Sequence, residues 1–334
     1  MNLHLVIPHA NWPDPESQKP VVAGLSLPAL SKLLGHAVRT AAPKLDLDIF
    51  LLQRFGLPGT AEAPISLYHD LPDEETGYWL RADPVHLRAD RDQLLLFDVQ
   101  RFPLTQADAN ALCEGLNTLF AEDGFRFVAA TPYRWYLRLP ADPKLVWTSF
   151  DTAIGTSIDT HLPQGEGALK WHRLLNEMQM CLYQHPVNDE RVRVGQPPIN
   201  SVWPWGGGEY PLAQKAIAPH AQVYGNDDLL VALMHSAGGI AKTVPERLAF
   251  SGDSDVLVLH DTLRDGALYG DAHAWREGWL RLEEQWFAPA LAALQDGRIG
   301  TLTFSFPELG LAASINKGRL WRFWLGQHLP WEGV

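Results

Sequence analysis

Apolar and polar positions alternate in two different periods along this chain, and the periods divide it. Leu3 to Pro8 (LHLVIP) is an unbroken apolar run closed by proline, which predicts a short buried strand. A Pro-rich loop follows. Then Leu30, Leu33, Leu34, Ala37 and Val38 recur at helical spacing within SLPALSKLLGHAVRT, with Ser26 as cap and Pro28 in the first turn. A second helix is expected over about Leu47 to Phe55, stopped by Gly56, and a loop from there to Thr76. From Gly77 the period changes. GYWLRADPVHLRAD, QLLLFDV, FRFVAATP and RWYLRL read as four strands. Between the second and third lies a helix in TQADANALCEGLNTLFAEDG, where Thr105 and Asp108 resemble a capping box.

The second half returns to alternation. A helix is predicted from Gly167 to Gln184, with Trp171, Leu174, Leu175, Met178 and Leu182 on one face, and it ends before Pro186. A strand from Ile199 to Trp205 comes next, then AQVYG. The pattern continues with a helix from Asn226, as cap, to Ala237, strand DVLVLH, helix Asp271 to Gln295, strand TLTFSF and an aromatic strand RLWRFWL. Apolar strands alternating with amphipathic helices imply a largely parallel sheet covered on both faces. The expected architecture is an α/β core formed by 1–76 and 160–334, carrying an α+β insertion at 77–159. In the long helix Trp275, Trp279, Leu282 and Trp286 are spaced as a core-facing seam.

With 334 residues the chain exceeds one ordinary hydrophobic core, which agrees with two lobes. Its 46% apolar and 20% charged content is that of a globular protein. A net charge of -12 argues against nucleic acid as a partner, since neutralising phosphates takes clustered Lys and Arg. Cys113 and Cys181, the two cysteines, fall in helical patterns and read as small core residues rather than a disulfide or a thiolate metal site. The N-terminus has no basic leader, and no run approaches the ~20 apolar residues of a membrane span. A cytoplasmic location and no membrane partner are the expectation. The chain has 13 tryptophans, read first as core.

Motif chemistry is sparse. Asp83 with His86, Asp159 with His161, His260 with Asp261, and Asp271 with His273 are near in sequence, but none has a spacing that fixes a metal mechanism. HExxH, GxSxG, GxxxxGK[ST] and GxGxxG are all missing, so motifs assign no enzyme class. The richest stretch is HPVNDERVRVGQPPINSVWPWGGG. There Trp203 and Trp205 flank a strand end and Gly206, Gly207 and Gly208 allow close backbone approach, with the indoles as rigid walls.

The segment LLNEMQMCLYQHPVNDERVRVGQPPINSVWPWGGG resembles the LNE…HPVN..R...G.PP.N..W.WG.G segment of archaeal-type cofactor-independent phosphoglycerate mutases, of the alkaline phosphatase superfamily. In the same order, SLPALSKLL is similar to that family's TPNLDxLA helix and LDLDIFLLQRFGL to its PGSDxAxLxxLGY helix. VLVLHDTLRDGALYGDAHAWREGWLRLEEQWFAPAL is similar to its D-x-x-x-H-D-G-D segment. The RpfE-type regulatory proteins, a bacterial offshoot with its own tryptophan-rich sequence, are the nearer resemblance. What this implies is an alkaline-phosphatase-like core with a largely parallel sheet between helices, plus the α+β insertion.

The family's chemistry uses a strand-end Asp, a Ser nucleophile, and Asp and His ligands for two divalent metals. In register, those positions hold Pro8, Leu47, Arg264 and Leu268, and the late Asp-His pair is missing from PELGLAASIN. The resemblance therefore implies a degenerate relative, with no catalytic residue, metal or cofactor expected. What survives is a candidate ligand-binding set. Arg81, Arg134 and His161 resemble the family's "FRCNFAT" and "HR" arginines and its "TDPH" histidine, and Asn188, Arg191, Asn200, Trp203, Trp205, Gly206 and Gly208 lie in the central segment. Arginines in such a site suit a small phosphorylated anion. The plainer alternatives are arginines paired with Asp83 or Asp151, Asn and Arg satisfying a turn's backbone, and a Trp/Gly corner acting as a hinge. Two other functions stay open: an active phosphotransferase with ligands relocated among His86, His161, His260, Asp261, Asp265 and Asp271, and a protein-interaction module using exposed Trp.

Overall fold

The structure, a computed structural model, describes residues 1–59, 62–91, 93–250, 254–320, 326 and 328–332. Its described strands are β1 (Asn2–Val6), β2 (Val38–Ala41), β3 (Gly77–Asp90), β4 (Gln93–Asp98), β5 (Arg126–Thr131), β6 (Arg134–Leu139), β7 (Ser201–Tyr210), β8 (Gln222–Tyr224), β9 (Val256–Leu259), β10 (Thr301–Phe306) and β11 (Leu311–Asn316). They form two sheets in two compact units, one of residues 1–56 and 216–334, the other of 57–215. The fold is mixed α/β.

The first unit holds a six-stranded sheet in the order β2-β11-β10-β1-β9-β8. The run β10-β1-β9-β8 is parallel, while β11 and β2 are antiparallel at one edge. β1 is central, and a parallel strand covered on both faces needs apolar side chains in both directions. Leu3 and Leu5 join one core with Val258, Phe304, Trp275, Trp279 and Phe287. His4 and Val6 alternate onto the opposite face. There His4 is buried, 5% exposed. Its Nε2 lies 2.8 Å from the Ser305 hydroxyl and its Nδ1 accepts from Arg54 at 3.3 Å.

Several helices are punctuated differently from the sequence expectation. The long helix is three pieces, Ala272–Leu282, a π-turn Glu283–Phe287 and Ala288–Asp296, which Gly297 ends in the left-handed region at φ 79°. Trp275, Trp279, Leu282 and Trp286 face the core as their spacing requires. The helix after β8 is Asp228–Ser236, and its cap is Asp227, which accepts from Leu230 N–H at 2.9 Å, not Asn226. Val38 leaves the helix Pro28–His36 to open β2, and the stretch LAASIN, with no strand expected, is β11. The proline-rich stretch contains the helix Pro15–Val22, with Pro15 in its first turn and Pro20 inside it. Of the expected aromatic strand at 319–325, Arg319 and Leu320 end a short helix, and 321–325 lie outside the described residues.

The second unit is a five-stranded antiparallel sheet around β3. β4 and β6 pair with β3 at its two ends, β5 extends β6, and β7 also pairs with β3. The expected four strands and one helix are present. The helix is Gln106–Leu119, capped by Thr105, whose hydroxyl accepts from Asp108 N–H at 3.1 Å. Cys113 is buried on this helix, whereas Cys181 is half-buried. The helices Gln106–Leu119 and Ala168–Tyr183 cover one sheet face, through Leu112, Leu116, Trp171, Leu175 and Met178 packed with Leu80, Trp135 and Leu137. Trp79, Tyr136, Tyr210 and Leu67 form a smaller core with the helix Glu62–Asp70, which lies in the stretch expected to be loop.

The compact unit is thus wider than the expected insertion at 77–159. The strand expected at 199–205 runs to Tyr210 and joins this antiparallel sheet rather than the parallel one, because its partner is β3 from Gly77 to Val85. The helix before it packs on the same sheet.

Two buried histidines on the parallel sheet make the first unit acid-sensitive. Burial pushes His4 and His260 down to about 3, and for His4 the neighbouring Arg54 and His220 push the same way. The unfolded imidazoles titrate near 6.5 and so bind more protons than the folded ones between those values. Stability is therefore complete above pH 6.5 and falls as pH drops toward 3, by up to about 1.4 kcal/mol per pH unit for each group. Urea midpoints measured from pH 7.5 to 5 are expected to fall, with a shallower slope in His260→Leu.

Candidate functional site

The second unit places Arg81, Arg134 and Trp205, three residues of the expected ligand set, in one network. β3 carries Arg81 and Asp83 two residues apart, hence on the same face. The Arg81 guanidinium donates to both Asp83 oxygens, at 2.8 and 2.9 Å from Nη2 and 3.2 Å from Nε. Asp83 also accepts from Trp135 N–H at 3.2 Å and Trp205 Nε1 at 2.8 Å. Both members of the pair are almost fully buried. Burial pushes the Asp83 carboxyl up, opposed by Arg81 and the Trp205 N–H. We assign an ionised pair, because the hydrogen bonds from Arg81, Trp135 and Trp205 are all donated to Asp83 and none uses a carboxyl proton. Arg81 also lies between two rings, 5.1 Å from the Trp205 centroid and 5.6 Å from that of Tyr136.

Arg134 is occupied in the same way. Its Nε and Nη2 reach the two oxygens of Asp70 at 2.5 and 2.8 Å, and Tyr136 Oη donates to Asp70 at 2.6 Å. Asp70 ends the helix Glu62–Asp70. The alternative reading of arginines paired with acids fits both positions, with Asp70 rather than Asp151 as the second partner.

The central segment satisfies backbone. Asn188 donates to Leu182 O at 2.7 Å and Ile199 O at 2.8 Å and accepts from Ile199 N–H at 2.7 Å. Asn200 makes the same two-way clasp with Leu87, 2.7 Å to its N–H and 2.8 Å to its carbonyl. Arg191 donates to the carbonyls of Pro197 and Pro103 at 2.9 and 2.7 Å, and its Nη2 is buried without a hydrogen-bond partner among the described residues. The helix of Asn188 and Arg191, Pro186–Arg193, is capped by the His185 ring. The expectation of a turn there reflects how little periodicity eight residues can show.

The Trp/Gly corner is a strand. Trp203 donates to Thr148 O at 3.1 Å, and Trp205 stacks on Phe150 with centroids 6.1 Å apart. Gly206 has φ 61°, and a Cβ there would lie 2.8 Å from the Glu62 Cβ. A Cβ on Gly207 would collide with Tyr78 and Leu80, and Gly208 pairs with Trp79. What these glycines admit is the protein's own β3 and the helix Glu62–Asp70. His161 closes a short 3-10 turn, half-buried, with burial lowering its pKa, and stands outside the Arg81 hydrogen-bond network.

In the first unit, Pro8 follows β1, Leu47 opens the helix Leu47–Arg54, and Arg264 and Leu268 bound a short helix after β9. Asp271 caps the helix Ala272–Leu282 by accepting from Ala274 N–H at 2.9 Å. His260 packs edge-on against Trp286 at 4.2 Å, and His86 Nδ1 lies 2.9 Å from Pro198 O. Among the described residues no group of three or more His, Cys, Asp or Glu is placed to hold a metal ion. Sequence reading missed the cluster of His4, Arg54 and Ser305. Its signal was a histidine in the middle of LHLVIP, where a covered strand requires that ring to have partners.

Comparison with known proteins places these observations. The chain is 32% identical over 133 residues to a probable 2,3-bisphosphoglycerate-independent phosphoglycerate mutase of Geobacter sulfurreducens, a match covering 39% of this chain and 33% of that relative. It is 28% identical over 142 residues to the 2,3-bisphosphoglycerate-independent phosphoglycerate mutase of Methanosarcina mazei, covering 40% and 35%. The match thus spans about a third of the length of these curated relatives. No protein-family model matches the chain. Two solved structures align over most of it: the cofactor-independent phosphoglycerate mutase from Thermoplasma acidophilum (TM-score 0.44, 14% identity, 95% of this chain and 90% of that one) and a Pyrococcus horikoshii protein (TM-score 0.49, 12% identity, 94% and 86%). The chain is similar in sequence to cofactor-independent phosphoglycerate mutases, and its sheets are the mixed α/β arrangement that such a resemblance implies.

The Arg81–Asp83 pair gives a measurable consequence. Asp83→Ala leaves a buried guanidinium unmatched and is expected to destabilise the second unit by about 3–5 kcal/mol. Arg134→Lys, which keeps a charge but loses the two-pronged geometry, is expected to be markedly milder. Chemical denaturation followed by tryptophan fluorescence checks both.

Proposed function

We propose that this phosphoglycerate-mutase-like protein does not catalyse phosphoryl transfer and acts as a ligand-binding or regulatory module, of the kind represented by the RpfE-type proteins. The observation that carries the reading is chemical. Where the family's mechanism needs an Asp, a Ser and metal ligands, this chain has Pro8, Leu47, Arg264 and Leu268. A prolyl or leucyl side chain offers neither lone pair nor acid-base group, and a guanidinium repels a divalent cation.

The reading of an active phosphotransferase with relocated ligands finds less support. His86, His260 and Asp271 are each engaged with a backbone carbonyl, an indole ring or a helix N-terminus. Recognition by exposed tryptophans also loses ground, since each described tryptophan is buried or half-buried. A phosphorylated ligand in the second unit would have to draw Arg81 or Arg134 from Asp83 or Asp70, which favours Arg191, with its unused buried Nη2, as the anchoring charge.

Metal analysis of purified protein, with phosphoglycerate mutase and p-nitrophenyl phosphate assays on the same sample, tests the proposal. The expected result is no stoichiometric manganese or zinc and no turnover above buffer. Stoichiometric metal together with turnover would overturn it. Thermal-shift screening against glycerate phosphates and phosphosugars then asks for the ligand, and Arg191→Gln is expected to abolish any shift found.

A further inference from the structure

A cavity of about 290 Å3 opens in the first unit between the helix Leu47–Arg54 and the ends of β10 and β11. That is near the small end of ligand sites, about 300–1,000 Å3. Its walls include Leu45, Phe50, Phe306 and Leu311, and its polar lining includes Arg54 and Ser305. No carboxylate within salt-bridge distance of Arg54 is found among the described residues. Its side chain donates to a neutral ring nitrogen, His4 Nδ1. Arg54 lines the cavity while itself exposed to solvent, and a guanidinium has five N–H donors, so it keeps donors that a ligand can take over from water.

The same bond sets the direction of the next. Because His4 Nδ1 accepts from Arg54, the neutral ring carries its hydrogen on Nε2, and that N–H donates to the Ser305 oxygen 2.8 Å away. Ser305 is 7% exposed, and its own O–H then remains to be given. It has no acceptor among the described residues. Cavity-facing Arg54 and Ser305 therefore both offer hydrogens. Asp46 and Asp48 sit at the other end of the helix from Arg54, on the order of 10 Å away along its axis.

We propose that this cavity binds a carboxylate carried on a small apolar body, with the carboxylate oxygens taken by the Arg54 guanidinium and the Ser305 hydroxyl. A single unmatched cation balances a monoanion, and the Leu and Phe walls suit an aromatic or branched aliphatic body. His4 is a positioning residue here, fixing both the guanidinium and the hydroxyl. The site uses none of the positions on which the mutase-like reading rests, so each stands or falls separately.

Fluorine NMR titration of the full chain with 4-fluorophenylacetate, 4-fluorophenylacetamide and 4-fluorophenyl phosphate tests it. The carboxylate is expected to bind at least about tenfold more tightly than the isosteric amide, since a hydrogen bond to a charged group exceeds a neutral one by that order. Arg54→Gln is expected to remove this preference while leaving the weak binding of the amide, and Ala312→Phe, which fills the cavity, to abolish binding of all three. Equal binding of acid and amide, no binding of the acid, or unchanged affinity in Arg54→Gln would overturn the site. Tighter binding of the phosphate would overturn its assignment to carboxylates. Should Arg54→Gln fail to fold, the acid and amide on the unaltered protein decide the matter.

Discussion

The second unit depends on one buried anion. Asp83 sits inside the sheet, and its two oxygens collect N–H groups from β3, β6 and β7. Two charges removed from water have a large desolvation cost, offset here only because the geometry is complete. Completing it requires β7 to lie beside β3 in one register, so that the Trp205 indole reaches Asp83. The glycines after Trp205 let that register close against Glu62 and Tyr78 without steric conflict. One carboxylate therefore specifies which strands meet, and the small residues around it permit the meeting.

That arrangement changes the meaning of a segment rich in tryptophan and glycine. The residue types that line ligand pockets, rigid aromatics beside open backbone, are also those that let two strands and a helix pack at close range. Amide clasps at Asn188 and Asn200 do for the flanking turns what the carboxylate does for the sheet. The segment read as resembling phosphoglycerate mutases thus consists of residues whose visible work is holding backbone in place.

Much of the fold was legible in the sequence, and the failures have physical causes. Long amphipathic helices and covered parallel strands announce themselves by period, as in Trp275, Trp279 and Trp286 or in LHLVIP. β2 escaped because it is a short, largely exposed edge strand, and β11 because its alternating burial leaves no continuous apolar run. The true partner of β7 could not be read locally, since pairing with β3 is set by contacts more than a hundred residues apart. Among the residues expected to bind a ligand, Arg81, Arg134 and Trp205 fall in one network, but the acid that occupies Arg134, Asp70, lay in a stretch read as loop. The His4, Arg54 and Ser305 cluster joins three segments with no motif between them.

The π-turn at Glu283–Phe287 places the Glu283 carboxylate at the start of the helix Pro28–His36, where it accepts from Ala29 and Leu30 N–H at 2.6 and 3.1 Å. Leu27 cannot serve as that helix's cap, so the cap comes from a residue 254 positions later in the chain. During synthesis this helix emerges with its leading amides unmet, and residues 57–215 can complete their own sheet before the matching carboxylate exists. That one contact ties the closing of the chain's first unit to residues near its other end.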